Sequence, residues 1–368
     1  MRPHAGHCVC CAAPRGGLRF LGRPGAAQDV TPPSNRTNRQ RGAALLMAML
    51  TVTLVASFAA TALWQQWRAV EIETAERARV QAGWVLTGAL DWSRLILRED
   101  ARSGGADYLS EPWAVALQEA RLSSFLAADK NSSASDSAEK QIDAFLSGHI
   151  EDMQSRLNVN NLIVGNKVSV PDLLLFTRLF ELLGLPQSEL LKLSEDLRSA
   201  SDKTPANPSA TSAPLQPQRI EQLAWLGVSP ASIERLRPYV ALLPARTPVN
   251  LNTASAEVIY ASIPDLQMAQ AQRLVDERAR RPFRNLEEAS RFVPNLPGAV
   301  SAGNHSVTTR FFEVRGRLRM EGTVIEERSL VQRDGLDVRT LWRERAALDR
   351  APDTSSARGR ETATQSLQ

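Results

Sequence analysis

The feature that most limits what this chain can become is a long run without charge. Residues 43–63 hold 21 positions with no Asp, Glu, Lys or Arg. As a helix rising 1.5 Å per residue, that run is long enough to cross a hydrocarbon core of about 30 Å. A secretory signal peptide has a shorter apolar core and begins near residue 1, whereas this run begins at residue 43. Arg36, Arg39 and Arg41 precede it and the next basic residue is Arg68. That asymmetry predicts a cytoplasmic N-terminus, with everything after the run on the far side of the membrane. The run is rich in Ala, Thr, Ser and Val, small residues that let helices approach closely in a bilayer.

The charge divides at the same place. The net charge of +4 comes from seven Arg and one Asp in residues 1–42 set against a slight acidic excess in the rest. The net charge therefore implies no basic surface for nucleic acid on the part beyond the membrane. Cys8, Cys10 and Cys11 all lie in the leader and no cysteine follows. A zinc site needs a second pair of ligands, which this cluster lacks.

The helix is expected to continue past the membrane to about Arg98. "WQQWRAVEIETAERARVQAGWVLTGALDWSRLILRED" holds no proline, and Trp67, Val70, Thr74, Ala78, Val85, Ala89, Trp92 and Ile96 fall near helical spacing. An amphipathic helix of this kind must pack on something, most simply a sheet. "RSGG" at 102–105 is its expected end.

Arg41-Gly42 before an uncharged helix resembles the type III signal of type IV pilins and of the pseudopilins of type II secretion. The resemblance implies that a prepilin peptidase cuts after Gly42, leaving Ala43 as a mature N-terminus open to N-methylation. The fifth mature position, commonly Glu in such proteins, is here Met47. In that respect the chain resembles the K-type minor pseudopilins (general secretion pathway protein K). The 42-residue leader is long for the family. A start at Val30, from a GTG codon, would leave the ordinary-sized "VTPPSNRTNRQRG".

The remaining chain carries further K-type features. "SRLNVNNLI" (155–163) reads as a short strand meeting an Asn turn and resembles the family's R-[IFL]-N-x-N-N-L segment. "PDLLLFTRLFELLGLP" reads as an amphipathic helix closed by Gly184 and Pro186. "AADKNSSASDSAEK" (127–140) and the proline-bearing "ASDKTPANPSATSAPLQP" read as flexible insertions.

"VNLNTASAEVIYASIPDLQMAQAQRLVDERARRPFRNLEEASRF" predicts three helices. Asn252 or Thr253 would cap the first, the second would run from about Gln267 to Arg280, and "RPFRNLEEASRF" would supply the third. The segment resembles helix-hairpin-helix and SAM-like modules. A DNA-binding hairpin uses glycines to bring backbone N–H groups to a phosphate. Here the turn is Ile263-Pro264-Asp265-Leu266-Gln267, without glycine and with an anion. After it, extended runs at about 306–319, 322–333 and 337–343 are broken at Glu321-Gly322 and Asp334-Gly335. Val307, Phe311, Val314, Leu318, Val324, Leu330 and Val331 are their expected core residues.

The expected fold is thus α/β (α+β), a pilin-like unit interrupted by a large helical insertion. Its parts are a leader (1–42), a transmembrane helix (43–63), a helix continuation with a first strand region (64–164), the helical insertion (165–300), C-terminal strands (301–345) and a polar tail (346–368). No P-loop, nucleotide-binding glycine pattern or nucleophile elbow occurs, and His149 and His305 stand beside no motif. The expectation is a structural subunit rather than an enzyme. The resemblance implies I-type and J-type minor pseudopilins, the major pseudopilin, the inner-membrane assembly platform and prepilin peptidase as partners. It implies an inner-membrane protein with a periplasmic C-terminal domain, without nucleic acid. It also brings in calcium, whose ligands stay unassigned because no EF-hand-like loop occurs. The competing reading is a membrane-anchored, competence-type DNA receptor built on the hairpin.

Overall fold

The computed structural model describes residues 41–122, 144–202, 213–293, 295, 298–320 and 323–348. The leader up to residue 40 with Val30 and the cysteines, the insertion at 127–140, residues 203–212, the turn at 321–322 and the tail from 349 lie outside the described residues. The chain separates into two units, Met1–Glu71 and Ile72–Gln368.

In the first unit, the described residues form the start of helix α1 (Arg41–Ser103). Side chains 43–71 are all exposed, as a lipid-facing helix requires before it meets partners. The hydroxyls turn inward on their own backbone. Thr51 donates to the Ala48 carbonyl (2.8 Å), Thr53 to Leu50 (2.9 Å) and Ser57 to Thr53 (2.8 Å). That back-bonding lets Ser and Thr sit in hydrocarbon without an unsatisfied donor. Among the described residues, one helix is long and apolar enough to cross a membrane.

In the second unit, the rest of α1 lies on a five-stranded antiparallel sheet. Strand β1 (Leu117–Arg121) pairs with β2 (Ala144–Asp152). The chain then passes through short strands β3 (Leu157–Asn158), β4 (Ile163–Val164) and β5 (Lys167–Val168) into helices α2 (Val170–Leu182) and α3 (Gln187–Ser201). Helix α4 (Pro230–Leu236), bridges β6 (Val240–Ala241) and β7 (Val249–Asn250), and helices α5 (Ala256–Ser262), α6 (Met268–Arg280) and α7 (Leu286–Ser290) follow. Strand β8 (His305–Ser306) leads back to the sheet as β9 (Phe311–Met320), β10 (Thr323–Asp334) and β11 (Asp337–Leu348). The sheet order is β1-β2-β9-β10-β11.

The sheet-facing side of α1 consists of Ala82, Leu86, Leu90 and Leu97, with Val85, Ala89 and Ile96 half-buried beside them. They meet Leu146, Phe312, Val314, Leu318, Ile325, Val331 and Val338 from the strands. Close approach of helix to sheet is possible at Gly316, the register partner of Gly148. A β-carbon on Gly316 would stand 3.2 Å from Leu86 Cδ2, and one on Gly148 would stand 2.7 Å from the Arg315 carbonyl oxygen. Trp113 closes the far end of this core, edge-on to Phe312 with centroids 5.2 Å apart. Arg94 and Arg98 hold the β10–β11 hairpin to the helix by donating to the Val338 and Leu336 carbonyls.

The helices between β2 and β9 have their own core, including Phe176, Leu179, Phe180, Leu193, Leu197, Ile259, Ile263 and Leu274. Two parallel bridges, β3 with β6 and β7 with β8, tie its entry and exit. A seam of Met153, Ala241, Leu243, Phe311 and Leu330 packs it to the sheet.

All seven expected strand-core residues are buried. Four local expectations change. Trp92, expected on the buried stripe of α1, is 45% exposed and Trp67 lies outside any core; the sheet selects Leu86, Leu90 and Leu97, each one position after the expected Val85, Ala89 and Ile96. Ser255, not Asn252 or Thr253, caps α5, and those two residues serve the buried junctions described below. The third helix is only Leu286–Ser290, begun by Asn285 because Asn252 bonds both backbone groups of Phe283 and keeps them out of a helix. "SRLN" supplies a two-residue bridge, whereas the sheet strands are β1 and β2, whose short polar-rich sequences carry little apolar alternation.

Candidate functional site

The residues that a prepilin peptidase would read, Arg41, Gly42 and Ala43, form the first turn of α1. Met47 lies one turn on from Ala43, on the same helical face, with 67% of its surface exposed. At the other end of the uncharged run, Arg68 stacks over the Trp64 ring at 5.5 Å, the aromatic and basic pairing suited to a membrane–water boundary.

A second exposed apolar feature lies on the part of α1 that follows Glu71. Val80, Trp84, Trp92 and Leu95 are 58%, 73%, 45% and 54% exposed. At about 100° per residue, these four share a face opposite Ala82, Leu86, Leu90 and Leu97. Gly88 lies between them with open space above it. Two exposed tryptophans on one face of this part of the helix form an apolar patch.

Beneath this helix, polar groups join α1, the sheet and the helical module. Arg333 on β10 forms ion pairs with Asp100, in the last turn of α1, and with Asp107, in the loop that follows. The same guanidinium donates to the Thr309 carbonyl (3.0 Å) and lies 4.9 Å over the Phe312 ring. Asp107 also accepts from Thr309 N–H at 2.7 Å. Burial pushes the Asp107 carboxyl up to about 6, although Arg333 and the Thr309 N–H pull the other way. Burial also opposes the charge on Arg333, but Asp107 and Asp100 outweigh it and hold its pKa above the ordinary value.

Asp152, the last residue of β2, continues this network without a cation. Its Oδ1 accepts from Gln154 N–H (2.7 Å) and Thr309 Oγ1 (2.6 Å). Its Oδ2 accepts from Asn250 Nδ2 (2.9 Å) and Thr253 Oγ1 (2.5 Å). Burial raises its pKa, and these four donors resist that shift. The helical module is pinned similarly elsewhere. Asn158 donates to the Ala245 carbonyl and accepts from Leu243 N–H, while Asn161 donates to the Thr247 carbonyl.

Asp100, Asp107 and Glu111 bring carboxylate oxygens within 4.8 Å of one another, which makes them the place to test for calcium. They do not fit it. Asp100 and Asp107 face the guanidinium, and Glu111 Oε2 accepts from Tyr108 N–H (3.0 Å) and Trp113 Nε1 (2.7 Å). Calcium takes six to eight oxygens, and a resident cation repels it.

Residues 155–245 and 249–307 match two family descriptions that both read type II secretion system (T2SS), protein K. Over those residues the chain is similar to that family. A type II secretion system protein K of Pseudomonas aeruginosa is 27% identical over 326 residues, covering 83% of this chain and 89% of that one. One from Pectobacterium carotovorum is 26% identical over 336 residues, covering 83% and 97%. The fold matches a chain in the crystal structure of the GspK-GspI-GspJ complex from the type 2 secretion system of enterotoxigenic Escherichia coli. That match has a TM-score of 0.54 at 17% identity and covers 74% of this chain and 98% of that one. The chain is a minor pseudopilin of α+β fold, and the DNA-receptor reading is not favoured.

The hairpin of this chain shows why. Asp265 occupies the left-handed region at φ 60°, and Leu266 N–H is already directed to the Ile263 carbonyl (3.3 Å). Arg178 from α2 donates to the Tyr260 and Leu266 carbonyls and stacks 4.3 Å over the Tyr260 ring. The turn is thereby built into the module. His305 is equally committed. Its Nδ1 accepts from Ser301 N–H, so Nε2 carries the proton and faces the Ser262 hydroxyl at 3.3 Å. Burial lowers its pKa to about 4.

The Arg333 and Asp152 networks and the tryptophan face of α1 were missed by sequence reasoning. Asp100 and Asp107 flank the "RSGG" helix stop, the one local sign of a junction. Nothing near Arg333 marks its acidic partners, which lie more than 220 residues away.

Proposed function

We propose that this minor pseudopilin is the tip subunit of a periplasmic pseudopilus, held by one membrane-spanning helix with its globular part outside the cytoplasm. The observation that carries this reading is Met47 at the fifth mature position. A neighbouring subunit's N-terminal ammonium in the bilayer needs a carboxylate, and an unpaired charge at the helix centre costs about 2.5–3.5 kcal/mol on insertion scales. Met47 offers no carboxylate to such an amine, yet the Ala43 amine of this chain can still be received by another subunit's Glu. A subunit that engages through one end only suits the first position. The helical module between β2 and β9 agrees, since an interior subunit carrying it would meet the subunit stacked above.

The partners in this reading are two smaller minor pseudopilins, as in the three-protein complex whose chain shares the fold, and through them the major pseudopilin. The tryptophan face of α1 is the contact surface. Arg36, Arg39 and Arg41 place the N-terminus on the cytoplasmic side, where the assembly platform and a prepilin peptidase act. The peptidase cuts between Gly42 and Ala43. The chain does no chemistry of its own in this reading: the Ser262–His305 pair is buried and carries its proton on the nitrogen facing the serine, the wrong tautomer for a general base.

Quantitative mass spectrometry of assembled filaments tests the placement. One copy per filament is expected, and Met47→Glu should be processed normally yet enter the shaft. A native copy number near that of the major subunit removes the tip reading.

A further inference from the structure

We propose that Arg333 takes the place of a divalent cation at the junction of α1, the loop after it and β10, so that this corner of the fold is closed by a side chain and is independent of calcium. The inference concerns the fold of the globular part and stands whether or not the subunit occupies the tip.

Three carboxylates from two segments converge here, and two of them meet the same guanidinium. A planar guanidinium with five donors in a fixed fork can satisfy two acids at once. Arg333 joins Asp100 through one terminal nitrogen, and Asp107 and the Thr309 carbonyl through the other. Its own N–H reaches the Arg310 carbonyl at 2.7 Å, which fixes the strand from which it extends. Phe312 supplies an aromatic face beneath the charge. A hydrated ion could use the two carboxylates and the Thr309 carbonyl but neither the fixed fork nor the Phe312 face, and together these leave the guanidinium one position.

What surrounds the acids is also what a cation would need if the arginine were absent. Glycines 104 and 105 bend the backbone past the cluster with φ of 65° and 114°. An open cavity of about 220 Å³, lined by Asp100, Asp107, Glu111 and Thr308 among others, adjoins the carboxylates. Removing Arg333 would leave Asp100 and Asp107 close together without a counter-charge, which is unfavourable. A hard divalent ion with water ligands in the cavity would relieve it.

The test uses the full chain in detergent, with thermal unfolding followed by circular dichroism in calcium chloride or in EGTA. The native chain should melt at the same temperature in both. Arg333→Gln should melt about 10 °C lower in EGTA and recover in a saturable way as calcium is added. Adding Asp107→Asn to that variant should abolish the recovery. If Arg333→Gln folds only with calcium present, the proposal is supported in the same sense. Arg333→Lys, which keeps the charge, should fold and stay insensitive to calcium. Saturable stabilisation of the native chain by calcium would overturn the proposal, as would a folded Arg333→Gln that ignores calcium or an Arg333→Lys that responds to it.

Discussion

Replacing Asp152 with Asn changes one atom, and the structure predicts that the change is costly. The carboxylate is buried and meets four donors, two on each oxygen. An asparagine must turn its NH2 toward one of those pairs. The threonine hydroxyls can rotate to become acceptors, but the two nitrogens cannot. Gln154 N–H is fixed by the backbone, and the Asn250 amide is locked because its Oδ1 accepts from Asn252 N–H at 3.0 Å. Either orientation therefore leaves one buried N–H facing another donor, at about 1–3 kcal/mol. Replacing charge-assisted bonds by neutral ones adds about 1 kcal/mol more. A total of about 2–4 kcal/mol corresponds to a melting temperature lower by about 5–15 °C. Thermal unfolding of the full chain in detergent at mildly alkaline pH reads it directly. Thr253→Val, which removes one rotatable donor, should cost about 1 kcal/mol. An Asp152→Asn variant as stable as the parent would refute the reasoning, since it would mean that the side chain is already protonated and has one donor of its own in this nest.

The other expectations are simpler to state. Gly42→Val should block cleavage, and N-terminal sequencing of the native protein should begin at Ala43; an uncleaved native chain would remove the processing site. Trp84→Glu should leave the melting temperature unchanged, because the ring is 73% exposed, but should reduce co-purification with the other minor pseudopilins; normal assembly would rule out the tryptophan face. Between pH 6.5 and about 4 the unfolded chain protonates His305 while the folded chain does not, so this residue removes stability as pH falls, by at most about 3 kcal/mol. The raised Asp107 acts oppositely in that interval, because the folded state then binds the extra proton. His305→Gln should accordingly weaken or reverse the acid-side slope in pH-dependent melting curves, and an unchanged slope would discount the histidine.

The anchor and the last three strands were legible because each is governed by a local pattern. An uncharged run of 21 residues and the Asp334-Gly335 turn need no partner to be read. Core residues such as Val314, Leu318 and Val331 followed from alternation alone. What stayed hidden depends on distant chain. The α1 stripe is amphipathic in more than one direction, and only the sheet decides that Leu86 and Leu97 face inward while Trp84 and Trp92 do not. Asn252 and Thr253 look like helix caps from their neighbours, yet Asn252 bonds both backbone groups of Phe283 and Thr253 reaches back to Asp152. Strand β2 was invisible for a related reason. Gly148 and His149 interrupt its alternation, and Gly148 is required by the neighbouring strand, where a β-carbon would stand 2.7 Å from the Arg315 carbonyl oxygen.

Asp152 and Phe312 are register partners on adjacent antiparallel strands. Topologically, β2 and β9 are a hairpin, and the whole helical module is its loop. An unstructured loop of some 160 residues raises the closure cost of such a hairpin by about 3 kcal/mol over a four-residue turn, a sizeable fraction of a domain's total stability. That penalty vanishes once the module has folded, since Asn250 and Thr253 then hold the Asp152 end while β8 leads the returning chain to Thr309 beside it. The module therefore acts on the sheet as a folded turn, which favours formation of the helices before the strands pair. Substitutions deep among Leu179, Phe180 and Ile259 should consequently slow the formation of a sheet they do not touch.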